Sequence, residues 1–178
     1  RRLRPINNFY EAQSGMLGRA MGLTPEAAGD LINRRIYRDW ESVLNVVPAF
    51  PDARKTIEHL REAGQRLGVL SDFPLGGKLA RLNLEDLWDV RIEAESVGYL
   101  KPNPEPFRAL LDALGTPAEQ TLYVGNNYAY DIVGARALGM KTAHLTRSPA
   151  SDSMADFTFH RYSELASWAL ENGSRAKF

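Results

Sequence analysis

The stretch TLYVGNNYAYDIVGARALGM, residues 121–140, decides the fold. Thr121–Val124 is a short apolar run of the kind that forms a buried strand. Asn126 and Asn127 suit a turn, Asp131–Leu138 has helical spacing, and Gly139 stops the helix. A second strand, Lys141–Leu145, follows at once. Strand, helix and strand in such short succession predict two parallel strands joined across a covering helix.

The alternation continues outward in both directions. Upstream, Ala53, Ile57 and Leu60 mark the buried face of a helix that ends at Gly64. Leu67–Leu70 reads as a strand covered on both faces. A helix around Leu79–Leu82, a strand at Val90–Ala94 and a helix over Pro104–Leu114 come next. The last of these turns Phe107, Leu110, Leu111 and Leu114 inward and stops at Gly115. Downstream, Phe157–Phe159 is a strand and Ser163 caps a final helix over Leu165, Trp168 and Leu170. The fold class predicted is α/β, a three-layer doubly wound parallel sheet with helices on both faces.

Before Pro51 the pattern is different and holds no strand signal. Phe9, Ala12, Met16, Leu17 and Ala20 recur at helical spacing behind Asn7 and Asn8, either of which can cap. Thr24-Pro25-Glu26 starts a second helix, with Thr24 as cap and Pro25 in the first turn. Leu31, Ile32, Ile36, Trp40, Val43 and Val47 then form an apolar stripe, which Pro48 and Pro51 end. The division expected is a helical region over residues 1–47 and an α/β core over residues 48–178.

Composition removes several classes of function. The chain has 178 residues, 44% of them hydrophobic, which argues against disorder. Its 22 Lys and Arg balance 22 Asp and Glu, so no basic face for nucleic acid is expected. The longest run without a charged residue is residues 120–130, too short for a membrane span of about 20 apolar residues. No apolar segment follows Arg1, Arg2 and Arg4, so no signal peptide is expected in this sequence. Cysteine is absent, which excludes disulfides, thiolate metal sites and a cysteine nucleophile, and fits a cytoplasmic protein. His59, His144 and His160 lack metal-ligand spacing, and Trp40, Trp88 and Trp168 read as packing residues.

In a parallel α/β sheet, ligands bind beyond the carboxyl ends of the strands. Ser71-Asp72 follows the first strand, Lys101-Pro102 lies in the loop after the second, and Gly125-Asn126 leads to Asp131 after the third. Singly, each has an ordinary reading. Ser71 caps a helix, Lys101 is a surface lysine, Asn126 and Asn127 form a turn, and Asp131 is a first-turn acid. As ligands, Ser71 offers a hydroxyl to an anion, and Pro102 and Pro104 stiffen the loop that projects Lys101. Asn126 and Asp131 are two oxygen donors that can reach one hard cation.

The order and spacing of these segments resemble the haloacid dehalogenase (HAD) superfamily. The most specific parts are Val124-Gly125, Asp131-Ile132-x-Gly134-Ala135-x-x-x-Gly139-Met140 and Gly98-x-x-Lys101-Pro102-x-Pro104-x-x-Phe107. The likeness runs from about Pro48 to Leu165 and is nearest to phosphatase-like members with a small helical cap. It implies a Rossmann-type fold, with the region of residues 1–47 as the cap that shapes substrate choice. It further implies that Ser71 and Asp72 lie at the substrate, that Lys101 neutralises phosphate and the nucleophile, and that Asn126 and Asp131 hold Mg²⁺. The reaction implied is hydrolysis of a small phosphorylated metabolite through an aspartyl-phosphate.

Two departures stand out. The family's nucleophile sits in an Asp-x-Asp segment on a strand upstream of the cap, and this sequence has none. Asn126 replaces the usual Asp, which removes a negative charge from the metal position. The leading expectation is a Mg²⁺-dependent phosphatase whose nucleophile lies on a segment before Arg1, the chain as it stands being inactive. A non-catalytic protein that keeps a phosphate or ligand pocket, and a metal-independent dehalogenase, are the alternatives.

Overall fold

In the computed structural model, which describes residue 6 and residues 8–38, 47–147 and 152–173, all strands pair in parallel. β1 (Gly68–Ser71) pairs with β2 (Val90–Glu93), Ser71 standing opposite Glu93. β3 (Leu122–Gly125) pairs with β4 (Lys141–Leu145), and β4 with β5 (Phe157–Phe159). Among the described residues β1 does not bond to β3, so the strands form two groups, β1–β2 and β3–β4–β5. A cavity of about 570 Å³ lies between them, lined by Gly68, Val69 and Leu70 on one side and by Leu122, Tyr123 and Val124 on the other. Gly68, Val69 and Leu70 are half-buried because this edge of β1 is open to the cavity, while Leu70 and Val69 pack on opposite faces as the sequence suggested.

The alternation of strand side chains defines the two outer layers. Leu70 and Tyr123 face α5 (Pro104–Leu114), where Phe107, Leu110 and Leu114 form a buried cluster with Ala135 and Met140. Val69 faces the opposite side, beside Ile57 of α3 (Ala53–Glu62) and the buried Leu75 and Leu79. Leu122 and Val124 also face that side, beside Ala143, Leu145, Phe159 and Leu165. Leu165 belongs to α7 (Tyr162–Gly173), which starts at Tyr162, so that Ser163, expected as its cap, lies inside the first turn. A short α4 (Lys78–Arg81) follows β1. The result is a three-layer, Rossmann-type α/β fold. Among the described residues no helix is long and apolar enough to cross a membrane.

The segment after β3 differs from a plain helix over Asp131–Leu138. A π-helical turn, Tyr128–Ile132, runs into a short α6 (Val133–Arg136). The cause is Asn127: its side chain accepts from the Tyr130 N–H at 3.1 Å, and its carbonyl accepts from the Asp131 N–H at 2.8 Å. The turn thus starts at Tyr128, three residues early, and Ala137 and Leu138 fall in the closing turn before Gly139 (φ 85°).

In the N-terminal region α1 (Phe9–Met21) and α2 (Pro25–Ile32) pack together, capped by Asn8 and Thr24 as expected. The helical path continues through a π-helical Asn33–Arg38. Trp40 and Val43 of the expected stripe, like Asn7, lie outside the described residues. The Ile6 N–H donates to the Gly98 carbonyl at 2.9 Å, joining this region to the loop that carries Lys101.

Candidate active site

Three strand-end loops meet at one point. Ser71 closes β1 and is buried, its hydroxyl oxygen accepting from the Phe73 N–H at 3.2 Å. That bond is an ordinary turn contact. It also fixes the hydroxyl at the carboxyl edge of the sheet, where ligands are bound. Asp72, next along, accepts from the backbone N–H of Lys101 at 2.9 Å. One carboxylate thereby ties the loop after β1 to the loop after β2.

Lys101 is the centre of the cluster. Its Nζ donates to Asp131 Oδ1 at 2.6 Å, lies 4.0 Å from Asp72 Oδ2, and donates more weakly to the Tyr123 hydroxyl at 3.4 Å. Lys101 and Asp131 are 11% and 8% exposed, so water screens this pair little. The other Asp131 oxygen accepts from the N–H groups of Asn126 and Asn127, at 3.2 and 3.0 Å. A buried carboxylate needs such partners, and Asp131 has three.

Glycine makes this arrangement sterically possible. A Cβ on Gly125 would lie 2.3 Å from the Asp131 Cβ, so the acid folds back over that residue only because it has no side chain. A Cβ on Gly134 would meet the Phe107 ring at 2.7 Å and the Pro102 Cα at 3.2 Å. Gly134 thus lets the Lys101-Pro102 loop and α5 close on α6. Gly125 and Gly134 are therefore packing requirements of the site, whereas Gly139 has open space around it and serves its left-handed turn.

The structure brings Ser71, Asp72, Lys101 and Asp131 together. Asn126 reaches them only through its backbone N–H, and its side chain is exposed. Three residues escaped sequence reasoning. Tyr123 is buried under Lys101, and its hydroxyl titrates well above the usual phenol range because of burial and the charges of Asp131 and Asp72. Inward strand position alone was its signal. Glu93 accepts from the Leu75 N–H at 2.6 Å and braces the loop after β1; its position opposite Ser71 becomes visible only in the strand register. Lys78 is half-buried close by, and burial and then the charge of Lys101 lower its ionisation.

The residues suit Mg²⁺ incompletely. Asp131 has one oxygen on Lys101 and the other on two amides, Asn126 is neutral, and no trio of His, Cys, Asp or Glu able to hold a metal occurs among the described residues. Mg²⁺ usually takes one or two carboxylates together with water and substrate phosphate. Asn126 and Asp131 would hold it only with a further carboxylate, and the ion would then neutralise phosphoryl charge.

Fold and site together define a three-layer α/β protein with a lysine–carboxylate cluster at its strand ends. Residues 14–139 match the family model for haloacid dehalogenase-like hydrolases. The chain is 38% identical over 95 residues to the glyceraldehyde 3-phosphate phosphatase of Pyrococcus abyssi, a match covering 52% of this chain and 40% of that one. Among solved structures it superposes on a HAD phosphatase from Thermococcus onnurineus with a TM-score of 0.65 at 25% identity, covering 90% and 87% of the two chains. It superposes on a 2-haloacid dehalogenase from Pseudomonas syringae with a TM-score of 0.70 at 25% identity, covering 93% and 73%. The chain belongs to the haloacid dehalogenase-like hydrolase family. It spans about half the length of the curated relatives it matches.

Proposed function

We propose that the protein is a phosphatase of this family acting on a small phosphorylated metabolite. The observation that carries the reading is the buried Lys101–Asp131 pair at 2.6 Å beside Ser71 and Asp72, a cation held rigid where the strands end. Rigid cations and hydroxyl donors of this kind stabilise phosphoryl charge as it moves in the transition state. The Pyrococcus abyssi relative and the Thermococcus onnurineus neighbour are both called phosphatases, which supports the same reading. In this reading residues 1–47 form the cap, residues 48–178 form the core, and the protein works in the cytoplasm, consistent with its lack of cysteine.

The reaction needs a carboxylate nucleophile that Asp72 and Asp131 do not supply, because both are bonded within the cluster. We assign it to an Asp-x-Asp strand lying between β1 and β3. Its carboxylate attacks phosphorus as the ester P–O bond breaks, the leaving oxygen takes a proton, and water then cleaves the acyl phosphate. Lys101 and the Ser71 hydroxyl hold the phosphoryl oxygens throughout. Mg²⁺ belongs to this reading only together with that added carboxylate, alongside Asn126 and Asp131.

The test joins such a strand to the N-terminus of the chain and measures phosphate release from p-nitrophenyl phosphate. The joined form is expected to turn over, and its variant with the first Asp of the strand changed to Asn is not. Equal release from both, or none from the joined form, would overturn the assignment. One observation favours a second reading, a non-catalytic phosphate binder: the neutral Asn126 at the metal position. Tight orthophosphate binding by a joined form that never turns over would select it.

A further inference from the structure

Lys101 has a neighbour to which the phosphoryl-transfer reading gives no role, the Tyr123 hydroxyl. Tyr123 is held by its strand and by its ring. Its backbone pairs with Thr142 of β4, and its ring meets the fully buried Phe107 edge-on, the centroids 5.0 Å apart. The cluster around the ring is apolar, with Leu110, Leu114 and Met140. Phe would serve that packing as well, and a buried hydroxyl costs free energy unless it is bonded. Its bonding partner among the described residues is Lys101 Nζ, at 3.4 Å. The ammonium stands 6.0 Å from the ring centroid, so it lies off the hydroxyl end of the ring and not over its face.

An ammonium has three protons to place. Asp131 Oδ1 takes one at 2.6 Å and the Tyr123 hydroxyl a second, whereas Asp72 Oδ2, at 4.0 Å, is beyond hydrogen-bond reach. One N–H is thus left for a ligand. The two contacts differ in kind. Asp131 neutralises the lysine as it holds it. Tyr123 holds it without cancelling its charge, because burial and then the charges of Asp131 and Asp72 keep the phenol protonated. A long stem tied at one point keeps rotamer freedom, and a second tie removes that freedom before the ligand arrives. We infer that Tyr123 is a positioning residue, its hydroxyl holding the Lys101 ammonium in place for the phosphoryl group. The inference rests on the phosphoryl-site reading above, and the test separates the two.

Tyr123→Phe keeps the ring and removes the hydroxyl, and two measurements on the 178-residue chain read the result. Acetylation of lysines by acetic anhydride, followed by mass spectrometry with no phosphate present, reports how firmly Lys101 is held. Tyr123→Phe is expected to raise the labelling of Lys101 severalfold, while Lys55 and Lys141 keep their wild-type rates. A merely structural role would instead loosen all three alike. Calorimetry with orthophosphate reads the consequence, an affinity expected to fall about three- to tenfold on loss of one hydrogen bond. Unchanged labelling of Lys101, an equal rise at all three lysines, or unchanged orthophosphate affinity overturns the inference. Lys101→Ala is the control: unchanged orthophosphate affinity there would mean that the phosphoryl-site reading itself is wrong.

Discussion

At the scale of single residues, the site depends on one acid being held by three donors. Asp131 bonds Lys101 and the N–H groups of Asn126 and Asn127 because Gly125 leaves room for it. Gly125→Ala should push the carboxylate off its amides. We expect a loss of about 1–3 kcal/mol in urea unfolding, the usual cost of overpacking, together with weaker orthophosphate binding. Unchanged stability and affinity would show that the contact relaxes freely. Asn126 tests the metal. Mg²⁺ prefers anionic oxygen, so Asn126→Asp should tighten Mg²⁺ binding measured by calorimetry in the presence of phosphate. If both forms bind equally, or neither binds, the roles given to Asn126 and Asp131 are wrong. Residue types and spacing make Ser71, Asp72, Lys101 and Asp131 legible in the sequence. Tyr123, Glu93 and Lys78 are not, because each owes its place to strand register or to the far side of a loop.

At the scale of elements, the sequence carries most of the outline because apolar runs and stop signals coincide. The five strands of the described residues are legible to within a residue at either end, and Pro104–Leu114 is legible to the residue, with Asn103 capping and Gly115 left-handed. The exception is the segment from Tyr128. There a side chain, Asn127, competes with the backbone for N–H groups, and hydrophobic spacing is blind to that competition. The short α6 that results depends on close approach to its neighbours. Gly134→Ala sets two effects against each other. Alanine favours the helix by up to about 1 kcal/mol, whereas overpacking costs about 1–3 kcal/mol. The new Cβ would meet the ring of Phe107, which is fully buried and cannot retreat, so overpacking should win. Net destabilisation in urea is the expected result, with the Lys101-Pro102 loop displaced and orthophosphate affinity reduced. A stabilised variant would show that helix propensity dominates at this position.

At the scale of the whole molecule, the unusual feature is the division of the strands. Among the described residues β1 and β3 face one cavity and each pairs on its other side only, and the same cavity is lined by Trp88, whose buried indole N–H has no acceptor there. Buried backbone and indole donors without partners cost about 1–3 kcal/mol each. A few of them weigh heavily against a typical stability of about 5–15 kcal/mol. An extended strand parallel to β1 and β3 would answer both edges at once, with apolar side chains directed alternately toward Leu110 and Leu114 and toward Ile57 and Leu165. Its carboxyl end would arrive beside Ser71 and Gly125, where the loops carrying Asp72 and Asp131 begin. We therefore expect the chain of residues 1–178 alone to release no phosphate from p-nitrophenyl phosphate. We expect its amides at residues 68–71 and 122–125 to exchange with deuterium far faster than those of β4. Joining a strand of this kind should slow exchange at both edges together and raise the midpoint of urea unfolding. The pairing would be refuted by protection that appears on one edge only, by slow exchange in the chain alone, or by turnover from a preparation whose mass matches residues 1–178.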